Sequence, residues 1–301
     1  MPRRILTGAL VQSLLRRAHP DVAQQIGGSM EAGSYIIRGG LPGRERLRLL
    51  ARVMRPATLA LLARAGVHGG MDCLDVGCGG GDVTTELARL VGPAGKVTGI
   101  DFDPVKVEIA REESAAFGLH NLQFQVGDVR EDLSSLPAAD LVYARFLLSH
   151  LPAPEAVLGQ LVAHARPGGL VVLEDIQISG HVVHPPSWAH DAFVDLYLRT
   201  GRARGADPEI GPKLPGLLQA AGLVDVQAQV AQPVGLQGEM KLVSAMTMET
   251  IADAVLAAGL ADHARIDAIV DELRRMAGDP ATLVSIARVV QSWGRKPGPR
   301  P

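Results

Sequence analysis

Four aspartates and a run of glycines stand where the chain changes character. Leu74-Asp75-Val76-Gly77-Cys78-Gly79-Gly80-Gly81-Asp82 reads as a short strand that runs into glycines and then a helix. Without a Cβ, Gly77 and Gly79 let the main chain come close to a ligand. A dinucleotide fingerprint needs a third glycine where this chain has Asp82, whose carboxylate would face a pyrophosphate, and the lysine of a Walker loop is missing. Asp101 closes the next apolar run, at the place where open α/β sheets hydrogen-bond ribose hydroxyls. Asp128 closes the third, where a carboxylate can accept from an exocyclic amine such as adenine N6. Phe102 and Val129 follow these two acids and can sandwich a flat base. Asp75, two residues before Gly77, can hold an amino-acid ammonium, directly or through water. Helix capping accounts for Asp128 or Asp103 taken singly, but not for the whole set. A ligand with an ammonium, a ribose, an adenine and no phosphate suits every position.

Groups able to move a proton lie farther along. His150, in LLSHLP, follows the fourth apolar run, and His190 sits within an aromatic segment; an imidazole titrates near neutrality, so these two lead the candidate general bases, which also include His184, Glu174, Asp175 and Tyr35. Packing or loop anchoring is the competing role for both. Glu174 and Asp175 end the fifth run, at the carboxyl edge where ligands bind in such sheets, against solvation or capping as the plainer reading. Glu174, Trp188, Phe193 and Tyr197 form the candidate acceptor site. Met240, Met246 and Met248 offer a flexible apolar lining, with core filling as the alternative. Cys73 and Cys78 are the only cysteines. Neither a disulfide framework nor a metal site is expected from them, and a reducing, cytoplasmic compartment is.

The elements that must position these groups follow from periodicity. Residues 1–66 read as an N-terminal helical extension and cap. Within it, Met1–Arg17 is an amphipathic helix that packs on the domain or on a second copy of the chain, giving a homodimer, rather than a targeting peptide. Tyr35–Gly43 reads as a loop, and apolar spacing from Arg44 to Ala65 as helix, kinked or divided at Pro56. From Met71 short apolar runs alternate with helical stretches, which means a parallel sheet covered on both faces. Residues 67–301 form this domain, with insertions at 180–210 and 239–278 closing as lids over the carboxyl edge. Val224–Val230 and Leu283–Val290 alternate like strands of one antiparallel pair, and the tail from Gly294 frays.

With 47% hydrophobic residues and a formal charge of −2, the chain has ample material for a large core and no basic surplus for a nucleic-acid partner. No apolar run reaches the roughly 18 residues that span a bilayer.

The run from Asp72 to Ile176 resembles the core of class I S-adenosylmethionine-dependent methyltransferases. It is similar above all to the group containing ubiquinone and menaquinone biosynthesis enzymes and many natural-product methyltransferases. The matching pieces are LDVGCGGGD (74–82), GIDFDP (99–104), GDV (127–129), ADLVYARFLLSHLPAPEAVL (139–158) and RPGGLVVLEDI (166–176). The resemblance implies a Rossmann-like seven-stranded sheet of order 3-2-1-4-5-7-6, the last strand antiparallel, and S-adenosylmethionine as cofactor. It also implies that Ala144 and Arg145 border that cofactor and that Tyr35 lies in a loop closing over its methionine end. The expected activity is O- or C-methylation of a small secondary metabolite or quinone-like compound. The alternatives are a cofactor-binding protein of this fold with another chemistry, such as cyclisation, or a macromolecule methyltransferase.

Overall fold

The computed structural model describes residues 40–131 and 136–298. The N-terminal extension before residue 40, with Tyr35 and the expected dimer surface, lies outside them.

Five strands alternate with helices in the first two thirds of the chain. They are β1 (Asp72–Val76), β2 (Lys96–Asp101), β3 (Leu122–Val126), β4 (Ala139–Arg145) and β5 (Ala165–Gln177). All pair in parallel, in the order β3-β2-β1-β4-β5. Alternate residues of each strand face opposite ways, and both faces are covered. Leu141, Tyr143, Leu170 and Val172 pack against helix α1 (Gly40–Ala65) and α2 (Asp82–Val91). Val142, Ala144, Val171 and Leu173 pack against α4 (Pro154–His164). Two-sided burial is why these strands read as nearly unbroken apolar runs. Helix α3 (Pro104–Ala115) starts on an Asp103 cap, whose carboxylate accepts from the amides of Val105 and Lys106, and packs on Phe124.

Beyond β5 the chain builds a second layer of structure. It forms β6 (Val183–His184), α5 (Trp188–Ala203), α6 (Leu214–Ala220), β7 (Val224–Ala231), β8 (Val234–Gly235), α7 (Val243–Ala257), α8 (His263–Gly278), β9 (Leu283–Ser285) and β10 (Arg288–Arg295). Strand β10 enters the sheet antiparallel between β5 and β7, completing the seven-stranded order that the family resemblance implies.

Four sequence expectations change. Helix α1 already begins at Gly40, inside the expected Tyr35–Gly43 loop, and Gly294 and Arg295, expected to fray, pair with β5 as the end of β10. Pro56 lies inside α1 without dividing it, because the helix is held on both sides of it by fully buried Met54 and Leu61. The final alternating run is two strands, not one. The main sheet offers partners only from Arg288, opposite Gln177 at the end of β5. Leu283–Ser285 therefore pairs with β6 and β8 in a separate three-stranded sheet.

Segments 180–210 and 239–278 share a hydrophobic core. Phe193, Leu196 and Tyr197 of α5 meet Met248, Ile251 and Val255 of α7 and Ile266, Ile269 and Leu273 of α8. A second cluster joins Leu49, Leu50 and Met54 of α1 to Val243 and Val289. Lys241, though buried, donates through Nζ to the carbonyls of Leu236 and Asp279 and to the Thr282 hydroxyl, which ties the start of the helical segment to its end. Among the described residues no helix is long and apolar enough to cross a membrane.

This packing predicts that the cap folds as part of the whole. Ile251→Ala, at a site with no exposure, should lower stability in urea denaturation by about 2–5 kcal/mol, as for other large-to-small core changes. A helix that merely covered the sheet would lose almost nothing.

Candidate cofactor and active site

The carboxyl ends of β1 to β4 lie side by side: Val76 is in register with Ile100 and Ala144, and Asp101 with Val126. From Val76 the chain turns through Gly77, Gly79 and Gly81, all with positive φ, before α2 begins. Such left-handed residues favour glycine. At Gly81 a side chain would also meet the Phe124 ring, 2.6 Å from the ideal Cβ. The amides of Gly77 and Cys78 both donate to the Ile100 carbonyl, at 2.8 and 2.9 Å. The loop is thereby bound to the end of β2.

Asp101 completes that link. One carboxylate oxygen accepts from the Gly79 amide at 2.9 Å and the other from the Asp103 amide at 3.0 Å. Two backbone donors orient the group and leave lone pairs for a diol. Asp75 is buried and accepts from the Thr84 hydroxyl at 2.6 Å. Burial pushes its carboxyl up to about 6, outweighing that hydrogen bond. A buried acid with one donor can accept a cation, and an ammonium would restore its charged form. Asp128 is held below the usual carboxylate range by Arg130, whose guanidinium and amide both donate to it. Phe102 exposes its ring, with the Lys106 ammonium 5.3 Å from the centroid. Val129 is packed in the sheet core with Ile100 and Leu151. Of the two expected walls for a base, Phe102 alone presents an open face.

Residues of α1 surround this edge and are not among the candidates singled out from the sequence. Arg44 of α1 lies over the glycine loop, donating to Asp82, to Glu113 and to the Gly80 carbonyl. Its guanidinium atoms come within 2.3 Å of where a Gly80 Cβ would stand. Leu47 covers Gly79 and Leu147 covers Gly77 in the same way. The signal available was the spacing of Arg44, Arg48, Arg52 and Arg55, which places four arginines along one stripe of a helix.

Glu174 is neither solvated nor a cap. It is 1% exposed and accepts from Tyr143, from the Thr58 hydroxyl at 2.8 Å and from the Gln291 amide at 2.6 Å. Its role as an acceptor contact is corrected to that of a structural junction, because its oxygens are already committed. Asp175 accepts from the amides of Ser149 and Ile176, and burial raises its carboxyl to about 6. Ala144 is buried at the end of β4, and Arg145, beside it, reaches the Thr58 hydroxyl at 3.4 Å.

The other expected acceptor residues do not converge here. Phe193 and Tyr197 belong to the cap core. Trp188 is exposed at the start of α5, with the Arg265 guanidinium 4.7 Å from its ring. His190 packs edge-on against His181, with centroids 4.7 Å apart, and burial lowers its imidazole to about 4. His150 is buried after β4, and burial, reinforced by Arg46 and Lys106, lowers it to about 3. Both rings are neutral at pH 7 but weakly basic, which makes each a poor proton acceptor. Among the described residues no three His, Cys, Asp or Glu side chains are placed to hold a metal ion.

Residues 67–195 match a family described as "Methyltransferase domain". A trans-aconitate 2-methyltransferase of Deinococcus radiodurans is 32% identical over 176 residues, covering 56% of this chain and 65% of that protein. A demethylmenaquinone methyltransferase of Staphylococcus aureus is 37% identical over 107 residues, covering 36% and 44%. The chain thus spans less than two thirds of the length of either relative. A solved structure of a cyclopropane-fatty-acyl-phospholipid synthase-like protein from Lactobacillus casei shares the fold, with TM-score 0.55 and 18% identity over 86% of this chain and 95% of that one. The strand order, the glycine loop with its aspartates and the matched residues 67–195 agree: this part of the chain is similar to methyltransferase domains, and the sheet around it has the fold of the class I S-adenosylmethionine-dependent methyltransferases.

Proposed function

We propose that the protein transfers the methyl group of S-adenosylmethionine to a small-molecule acceptor. The observation that carries this reading is the cluster at one sheet edge of a buried Asp75 that accepts from Thr84, a left-handed glycine loop and an Asp101 oriented by two backbone amides. When bound, the cofactor supplies a sulfonium methyl, which an in-line nucleophile displaces. Asp75 would hold its ammonium, Asp101 its ribose hydroxyls, and Asp128 and Phe102 its adenine. Ala144 would border it from β4, while Arg145 lines the cavity beside the glycine loop. What the chain then contributes is orientation: holding nucleophile and methyl in line at about 3–3.5 Å accounts for several kcal/mol of barrier lowering.

The curated relatives are named for two unlike small acceptors, trans-aconitate and demethylmenaquinone. That supports a small molecule and leaves the choice open between a quinone-like compound, another secondary metabolite and an acid. The weak basicity of His150 and His190 favours catalysis by proximity over a general base. The cap of α5, α7 and α8, at the end of β5 and the start of β10, would exclude water from the acceptor.

S-Adenosylhomocysteine should raise the melting temperature, as any ligand of the native state does. Asp101→Ala should weaken its affinity about tenfold or more, since each charge-assisted hydrogen bond is worth about 1.5–3 kcal/mol. Unchanged affinity by calorimetry would remove the ribose assignment, and failure of the wild type to bind would remove the methyl-transfer reading.

Asp75 yields a pH dependence. Its folded value is raised from 3.8 to about 6, so in the free protein its contribution to stability is present below the lower value and is lost as pH rises through the higher. Binding an ammonium has the opposite preference, because it needs the carboxylate. Affinity for S-adenosylhomocysteine should therefore fall as pH drops below about 6, by at most about tenfold per pH unit. Asp75→Asn should flatten that profile in calorimetry across this range.

A further inference from the structure

Beside the glycine loop a cavity of about 190 Å³ opens between α1 and the first turns of α2. Its charged lining is Arg48, Arg52 and Arg55 from α1, Arg145 from the end of β4, and Asp82 and Glu86 from α2. Both acids are already engaged: Asp82 by Arg44, and Glu86 by Arg55 and Arg89. Arg48 and Arg52 have partners elsewhere, Glu113 and Glu239. Arg145 differs from the other three. Its only contacts among the described residues are the Thr58 hydroxyl at 3.4 Å and the face of Phe146, 5.5 Å from the guanidinium carbon. The nearby acids act on it only through space, since Glu174 is taken up by three donors and Asp75 by Thr84.

We propose that the acceptor carries a carboxylate and that Arg145 binds it in this cavity. This rests on the methyl-transfer reading, and it gives that site a substrate class. A guanidinium presents its donors in a planar fork that matches the two oxygens of a carboxylate. A neutral acceptor seated here would strip water from Arg145 without returning a counter-charge, which is costly for a partly buried ion. The position suits the reaction, because Asp82 and Val83 line the cavity and directly follow the glycine loop. An oxyanion on Arg145 therefore stands next to the cofactor edge.

The cofactor's own methionine carboxylate has the same chemistry and is the rival occupant. The test uses the full chain in calorimetry. S-Adenosylhomocysteine is titrated first, and the loaded protein is then titrated with succinate, citrate and tricarballylate, with triethyl citrate as the uncharged control. At least one acid should bind and the ester should not. Arg145→Gln should weaken that acid about tenfold or more while S-adenosylhomocysteine affinity changes by less than about twofold. Arg145→Lys, which keeps the charge and loses the fork, should fall between and serves if the glutamine variant does not fold. An equal loss of S-adenosylhomocysteine affinity would assign Arg145 to the cofactor and overturn the proposal. So would acids that fail to bind, or that bind both variants as well as wild type. Were S-adenosylhomocysteine itself not to bind the wild type, the methyl-transfer reading would fall, and titrating the acids into free protein would still decide the cavity.

Discussion

A carboxyl group without access to solvent has to find its donors inside the fold, and at Glu174 it finds them on three other elements. Tyr143 comes from β4, Thr58 from α1 and Gln291 from β10. Thr58 and Tyr143 share Oε1 and Gln291 serves Oε2, so removing Gln291 would leave a buried oxygen unsatisfied, a penalty of about 1–3 kcal/mol. The group therefore fixes how α1 lies across the strand ends and where β10 enters the sheet. Both arrangements bear on the site. α1 brings Arg44 and Leu47 onto the glycine loop, and Tyr143 fixes the end of β4, from which Arg145 projects. An interaction that touches no ligand thus sets the geometry of the edge where ligands bind.

The same edge separates two kinds of acid. Asp101 and Asp128 take their donors from backbone amides and an arginine, respectively, and Arg130 holds Asp128 below the usual carboxylate range. Asp75 and Asp175 are buried, and desolvation raises both to about 6 despite the hydrogen bonds that each accepts. Charged acids orient hydroxyls and amines, while a raised acid couples readily to an arriving cation.

The cap follows a different logic. Its helices bury their aromatic and aliphatic side chains against one another, so the residues that look most like an acceptor lining in the sequence are its core. Aromatic residues in an insertion carry no mark that distinguishes a pocket wall from a packing face, since either role rewards the same apolar surface. The charged side chains beside the glycine loop lie instead on α1 and at the end of β4.

What the amino-acid order determined by itself was local. Apolar runs of strand length, the glycines that must turn with positive φ, and the aspartates that end successive strands are neighbours along the chain, and their geometry follows from backbone sterics and alternation. Hence the parallel sheet, the loop and the cofactor were legible. Tertiary structure decided everything that joins residues far apart in sequence. Glu174 meets Thr58 across 116 positions and Gln291 across 117, and Arg145 meets Thr58 across 87. It also divided the last alternating run at the point where the main sheet has no further partner, kept α1 whole through Pro56, and lowered the two imidazoles by burial. Each of these outcomes depends on which surfaces exclude water from one another, and no local pattern records that.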